Sequence, residues 1–142
     1  MNREQISTGG CQCGAVKYRV NGPLRDVVNC HCTECQRLNG NFGAHSKART
    51  EHLDITETDG LQWYDIHPSV RRGFCKRCGS SLFWEAMQQP WTGIIAGSLD
   101  NGDALTTIGH IFVEEKAGFF EITDNLPQFR KSSDGKLPGD FV

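Results

Sequence analysis

The stretch "CHCTECQ" at residues 30–36 decides how this chain is read, because it sets Cys30, Cys32 and Cys35 within six positions with His31 between the first two. Thiols this dense form a disulfide, a metal knot or a reactive site. The chain has 142 residues and seven cysteines, and an odd number of thiols cannot all pair within one chain. The N-terminal MNREQISTGG has no apolar core for a signal peptide, and the longest apolar runs, such as GIIAG at 93–97, are far too short to cross a bilayer. These features predict a cytoplasmic protein without membrane association, in which cysteines serve metals or catalysis rather than disulfides.

Two further groups hold the remaining thiols: Cys11 and Cys13 in CQC, and Cys75 and Cys78 in CKRCG. A Cys-x-x-Cys-Gly knuckle converges two sulfurs on one metal, and its glycine permits a turn whose backbone N–H groups soften the thiolate charge. Structural zinc is nearly always four-coordinate, so the knuckle needs two more ligands. One partition joins Cys11 and Cys13 to Cys75 and Cys78, leaving Cys30, Cys32 and Cys35 around a second metal. The other completes the knuckle with Cys32 and Cys35 and leaves Cys11, Cys13 and Cys30 as incidental thiols. Spacing favours the first, which employs every cysteine. A closed four-thiolate zinc supports the fold, whereas a three-thiolate zinc keeps a fourth position for water or substrate. Three thiolates donate so much charge that amide hydrolysis is a poor assignment. A soft site suits sulfur, because coordination lowers the pKa of an incoming thiol.

Outward from the cluster the pattern is that of strands. DVVNC (26–30) leads into it as a strand, and TECQRLN (33–39) follows as a helical turn or two before Gly40. GAVKYRV (14–20) alternates Val16, Tyr18 and Val20 with Lys17 and Arg19, the period of a half-buried strand, and NGP at 21–23 ends it. Further strands are predicted at 42–48, 52–56, 61–66, 81–86, 91–97 and 106–113, with turns at 59–60, 78–80 and 100–103. Sixteen glycines and this turn spacing predict a mainly β chain with little helix. A single domain spanning 1–142 is expected, with the polar tail at 131–142 as an exposed extension.

A formal net charge of -2, with 37% hydrophobic and 23% charged residues, supplies no basic field for nucleic acid or anionic lipid. His31, His45 and His110 are candidates for proton transfer by residue type. On an extended segment His31 points away from the side of Cys30 and Cys32, so it reads as a supporting or surface group rather than a ligand. His110 in GHIFV reads as a satisfied core histidine, His45 as a group able to approach the metal, and His52 and His67 as surface residues. Trp63, Trp84 and Trp91 read as core or rim packing, Arg71 and Arg72 as solvated charges, and Glu114, Glu115 and Lys116 as a surface turn.

The series CQCGAVKY, CHCTECQRLNG, FCKRCGSSLFW, AGSLD and GHIFVEEKAGFFEITDNLPQF, from about Gly10 to Phe129, resembles the glutathione-dependent formaldehyde-activating enzyme family, which also includes centromere protein V. The resemblance implies twisted, mostly antiparallel β-sheets stapled by zinc, like the mammalian suppressor-of-Sec guanine-nucleotide-release factors. It implies that Cys11, Cys13, Cys75 and Cys78 hold a structural zinc and that Cys30, Cys32 and Cys35 hold a catalytic zinc. The implied activity is that of a carbon–sulfur lyase, joining or separating glutathione and formaldehyde as a hydroxymethyl thioether. The implied substrate is thus a small-molecule, glutathione-like thiol adduct of an aldehyde or related electrophile.

A competing function is a non-catalytic, zinc-stabilised β module that binds a protein partner. A fourth protein ligand closing the second cysteine group would favour binding, and an open position would favour catalysis. Redox chemistry at the cluster is a further class, tested by metal analysis of the reduced protein.

Overall fold

The alternation that predicts strands is realised as ten strands and one α-helix among residues 5–139, the part of the chain that the computed structural model describes. In chain order these are β1 (Ile6–Gly10), β2 (Lys17–Asn21), β3 (Val27–Cys30), α1 (Thr33–Asn39), β4 (Gly43–Arg49) and β5 (Leu53–Glu57). Then follow β6 (Leu61–His67), β7 (Val70–Cys75), β8 (Ser81–Ala86), β9 (Trp91–Ile95) and β10 (Thr107–Ile111). A three-stranded sheet has the order β1-β2-β5, and a seven-stranded sheet the order β10-β3-β4-β9-β8-β7-β6. The mainly β reading holds, and no described helix is long and apolar enough to cross a membrane.

The pairing is antiparallel except at one edge, where β10 runs parallel to β3. Short 3-10 turns at Ala96–Ser98 and Gly102–Ala104 carry the chain away from β9, and β10 then enters along the free edge of β3 in the same direction. Two strands lie outside the sequence reading. β1 (ISTGG) is too polar and too rich in glycine to show alternation, and it forms by pairing with β2. β7 (VRRGFC) holds two adjacent arginines and a glycine, and it is a strand because β6 and β8 pair with it on both sides.

Period-two geometry sends successive side chains of the large sheet to opposite faces. One face carries Ala48, Thr92, Ile94 and Phe83, and it packs on Val16, Tyr18 and Val20 near the small sheet; the Tyr18 and Phe83 rings meet edge to face at 5.2 Å. The β7–β8 register skips Leu82, so the consecutive Leu82 and Phe83 both enter this core. The other face carries Val28 and Cys30 of β3, His45 and Lys47 of β4, Trp91 and Gly93 of β9, Trp84 of β8 and Arg72 of β7, all lining one cavity.

The tail is not an exposed extension throughout. Leu137 is buried, its methyl groups filling the place a side chain on Gly109 would need, and the Phe112 N–H donates to the Lys131 carbonyl at 2.9 Å. One apolar residue in a polar stretch suffices, because the glycine leaves a hole of matching size. The last three residues of that tail lie outside the described part.

Candidate functional site

Cys11 and Cys13 sit in the turn between β1 and β2, Cys75 ends β7, and Cys78 lies in the turn to β8. The two turns meet through the Ser80 hydroxyl, which accepts from the Gln12 N–H at 3.0 Å and contacts the Cys78 sulfur at 3.2 Å. Glycines permit both turns, with φ of +87° at Gly14 and +82° at Gly79. The four sulfurs lie within 4.8 Å of one another, with Cys11–Cys13 and Cys13–Cys75 separations of 3.7 Å. Sulfurs about 2.3 Å from a tetrahedral zinc stand about 3.8 Å apart, so this donor set fits a four-thiolate metal. The Ser80 hydroxyl and backbone pull the Cys78 thiol down to about 5, toward the thiolate a metal requires.

The second group straddles a strand end and a helix start, as CHCTECQ suggests. Cys30 is the last residue of β3, Cys32 is the N-cap of α1, and Cys35 lies in its first turn. The Cys35 N–H donates to the Cys32 sulfur at 3.3 Å, and the Cys30 and Cys32 sulfurs are 3.5 Å apart. Contacts with Cys32 and Cys35, and then burial, push the Cys30 thiol up, while those from Cys30 and Cys35 push Cys32 down. All three sulfurs lie within 4.8 Å of one another, and no fourth protein donor joins them among the described residues. This set fits a metal held by three thiolates.

Glu115 secures the helix start, accepting from the Thr33 N–H at 2.9 Å and the Thr33 hydroxyl at 3.1 Å, while Gln36 donates to the carbonyls of His31 and Glu115. The segment read as a surface turn is therefore a 3-10 turn that holds the cysteine helix.

The three sulfurs border a cavity of about 460 Å³. His45 does approach the cluster, its Nε2 3.7 Å from the Cys35 sulfur; burial and then the Arg72 and Arg25 guanidiniums push it down to about 3. Arg72 overturns its reading as a solvated charge. It is buried, donates to Glu34 at 3.0 and 3.3 Å, and reaches the Cys35 sulfur at 3.5 Å. Arg71, on the opposite face, stacks over Trp63 at 3.7 Å and pairs with Glu85 at 2.8 Å. Adjacent arginines diverge in this way only on a strand, so overlooking β7 hid Arg72. Trp63 packs on Phe83 as expected, whereas Trp84 and Trp91 stack with centroids 5.2 Å apart and line the cavity. His67 is exposed at the cavity mouth, and His52 is half-buried over Gly22 rather than on the surface.

His31 points away from the sulfurs, as its place between them implies, but it is buried rather than at the surface. Its Nε2 meets His110 Nδ1 at 2.9 Å, and His110 Nε2 lies 3.0 and 3.1 Å from the two Asp124 oxygens. The two rings and the Asp124 carboxylate thus form one hydrogen-bonded chain, in which Asp124 accepts from the His110 Nε2–H. Burial, followed by His110 and Lys116, lowers His31 to about 4, and its Nδ1 is left buried without a partner. Asp124 lies in a loop 14 positions beyond His110, where no periodicity marks it. Asp124→Ala is expected to remove the hydrogen-bonded His110 ring N–H signal from the NMR spectrum and to shift the His31 ring nitrogens. Unchanged ring signals would show that the carboxylate does not set the tautomers.

The family model of the glutathione-dependent formaldehyde-activating enzymes matches residues 6–115. A Halomonas elongata protein, provisionally named as a glutathione-dependent formaldehyde-activating enzyme, is 31% identical over 132 residues, spanning 80% of this chain and 79% of its own. A crystal structure of a Rhodobacter sphaeroides protein has the same fold at a TM-score of 0.57 and 25% sequence identity, covering 72% of this chain and 98% of that one. The matched span holds every cysteine of both sulfur groups together with Arg72 and His45, and by that match the chain belongs to the glutathione-dependent formaldehyde-activating enzyme family.

Proposed function

We propose that this protein is a cytoplasmic, zinc-dependent carbon–sulfur lyase acting on thiol adducts of small aldehydes or related electrophiles, with a glutathione adduct as the first substrate to test. In this reading Cys11, Cys13, Cys75 and Cys78 hold a structural zinc, and Cys30, Cys32 and Cys35 hold the catalytic one. The observation that supports it is the contrast between the groups: one gathers four sulfurs, whereas the other gathers three, joined by no fourth protein donor among the described residues, and all three residues border a cavity of about 460 Å³. When bound by three thiolates, zinc supplies a soft Lewis acid that favours the ionised form of a substrate thiol.

The reaction balances without an oxidant. In the joining direction the thiol S–H adds across C=O: the S–C bond forms, the carbonyl π pair moves to oxygen, and oxygen takes the proton. In the cleaving direction the hydroxyl loses that proton, C=O re-forms, and the S–C pair returns to sulfur. His45, uncharged, directs Nε2–H to the Cys35 sulfur and leaves Nδ1 facing the cavity, where it accepts from the adduct hydroxyl. Arg72 places a fixed positive charge 3.5 Å from Cys35, and Glu34 holds its guanidinium there.

Zinc-loaded protein is expected to accelerate interconversion of glutathione and formaldehyde with their adduct, followed by NMR exchange. Rates equal to the protein-free reaction across a panel of aldehyde adducts would exclude the lyase. Arg72→Gln is expected to lower kcat about tenfold to a hundredfold, roughly 1.4–2.7 kcal/mol in the barrier, with little change in the circular dichroism spectrum. A parental kcat in this variant would remove Arg72 from the mechanism.

A further inference from the structure

We propose that the cavity beside the three sulfurs contains an aromatic subsite at Gly93, so that the preferred substrate carries an aryl group on the carbon next to sulfur. The inference rests on the lyase reading and names the substrate class that the site takes. Gly93 faces Lys47 on one neighbouring strand and Trp84 on the other, and Trp84 in turn faces Arg72. Gly93 is the one member of this row without a side chain, and the gap opens into the cavity. A Cβ placed there would stand 3.3 Å from the Trp84 Cβ, 3.6 Å from the Trp84 carbonyl oxygen and 3.9 Å from His45 Nδ1.

The slot therefore has the Trp84 side chain on one side and the His45 imidazole on the other. Across that imidazole lies Cys35, 3.7 Å from Nε2. A group bound through sulfur at the cluster must therefore extend past the His45 ring, and it is the part carried beyond the reacting carbon that enters the slot. Trp84 is backed by Trp91, stacked on it at an interplanar angle of 20°, and both residues line the cavity beside the gap. Val28, Ile111 and Phe112 supply apolar surface elsewhere in the cavity.

The charged lining is engaged: Arg72 with Glu34, Arg25 with the carbonyls of His45 and Asp26, and Lys47, opposite Gly93, with its ammonium 4.3 Å over the Trp91 ring. A gap beside stacked tryptophans in a largely apolar cavity selects a planar ring, which gains offset stacking together with burial. A hydroxymethyl group has no apolar surface with which to displace water there.

The test uses zinc-loaded protein and three probes: benzyl mercaptan, 2-mercaptoethanol and benzyl alcohol. Affinities are read by tryptophan fluorescence and calorimetry, and thiol coordination by the charge-transfer band of cobalt-substituted protein. Benzyl mercaptan is expected to bind at least tenfold more tightly than 2-mercaptoethanol, and benzyl alcohol to quench tryptophan fluorescence without altering the cobalt band. Gly93→Ala and Trp84→Ala are each expected to bring the benzyl-to-mercaptoethanol ratio close to one, with circular dichroism reporting that each variant is folded.

Equal affinities in the parent, or a ratio unmoved in both folded variants, would overturn the aromatic subsite and leave the lyase reading standing. Trp84-dependent binding of benzyl alcohol with no thiol perturbing the cobalt band would keep the subsite and overturn the lyase reading. Failure of all three probes to bind would overturn both.

Discussion

Replacing Cys75 with serine is expected to abolish most of the folded population at physiological temperature. Cys75 belongs to two structures at once. It is fully buried in the core with Val16, Tyr18 and Phe83, and its sulfur lies 3.7 Å from that of Cys13. Gly60 packs so closely that a Cβ there would come within 2.7 Å of the Cys75 sulfur, so backbone and sulfur are fitted to each other. Serine is smaller, leaves an unfilled space, and offers zinc a hard, weakly acidic oxygen. A structural zinc in small zinc folds contributes an apparent stabilisation of about 10–16 kcal/mol, while whole domains are stable by only about 5–15 kcal/mol. If this group holds the proposed structural zinc, losing most of that contribution would be comparable to the whole stability of a domain.

The measurement is a denaturant midpoint together with zinc stoichiometry, on parent, Cys75→Ser and Cys13→Ser. Cys13 is exposed, so its variant loses the ligand without opening a core cavity and should fall less far than Cys75→Ser. A Cys75→Ser protein with the parental midpoint and full zinc content would refute a structural metal in this group.

What the sequence reveals and conceals here follows from how far each signal reaches. Cysteine spacing is local, so all three thiol groups, the strand leading into CHCTECQ and the helical turn after it are legible from composition and order. Alternation marks the strands that have one polar and one apolar face, such as β2. It fails for β7, where Arg71 and Arg72 point to opposite faces and both are engaged, because a buried ion pair cannot be told from a solvated charge without its partner. Glu34, that partner, is 38 positions away in sequence. The parallel edge at β10 and the His31–His110–Asp124 chain depend likewise on contacts that only the folded topology creates.

The proposed division of labour between the sulfur groups makes its sharpest prediction at Cys35. In Cys35→Ser the fold is expected to survive with one zinc equivalent lost and adduct turnover reduced about a thousandfold, which corresponds to about 4 kcal/mol in the barrier. Survival follows from the independent anchors of α1: Glu115 holds Thr33, Gln36 holds the His31 and Glu115 carbonyls, and Glu34 is tied to Arg72. The loss of turnover follows from where Cys35 stands, in contact with both Arg72 and His45 at the cavity wall. Serine there breaks the sulfur triad and deprives both neighbours of the thiolate they face.

The two partitions of the cysteines predict different patterns for Cys75→Ser and Cys35→Ser. If the knuckle were completed by Cys32 and Cys35, then Cys35→Ser would unfold the protein as Cys75→Ser does, and Cys13→Ser would change neither zinc content nor midpoint. If the groups divide as their sulfur distances indicate, Cys13→Ser and Cys75→Ser lose stability together, while Cys35→Ser loses chemistry alone.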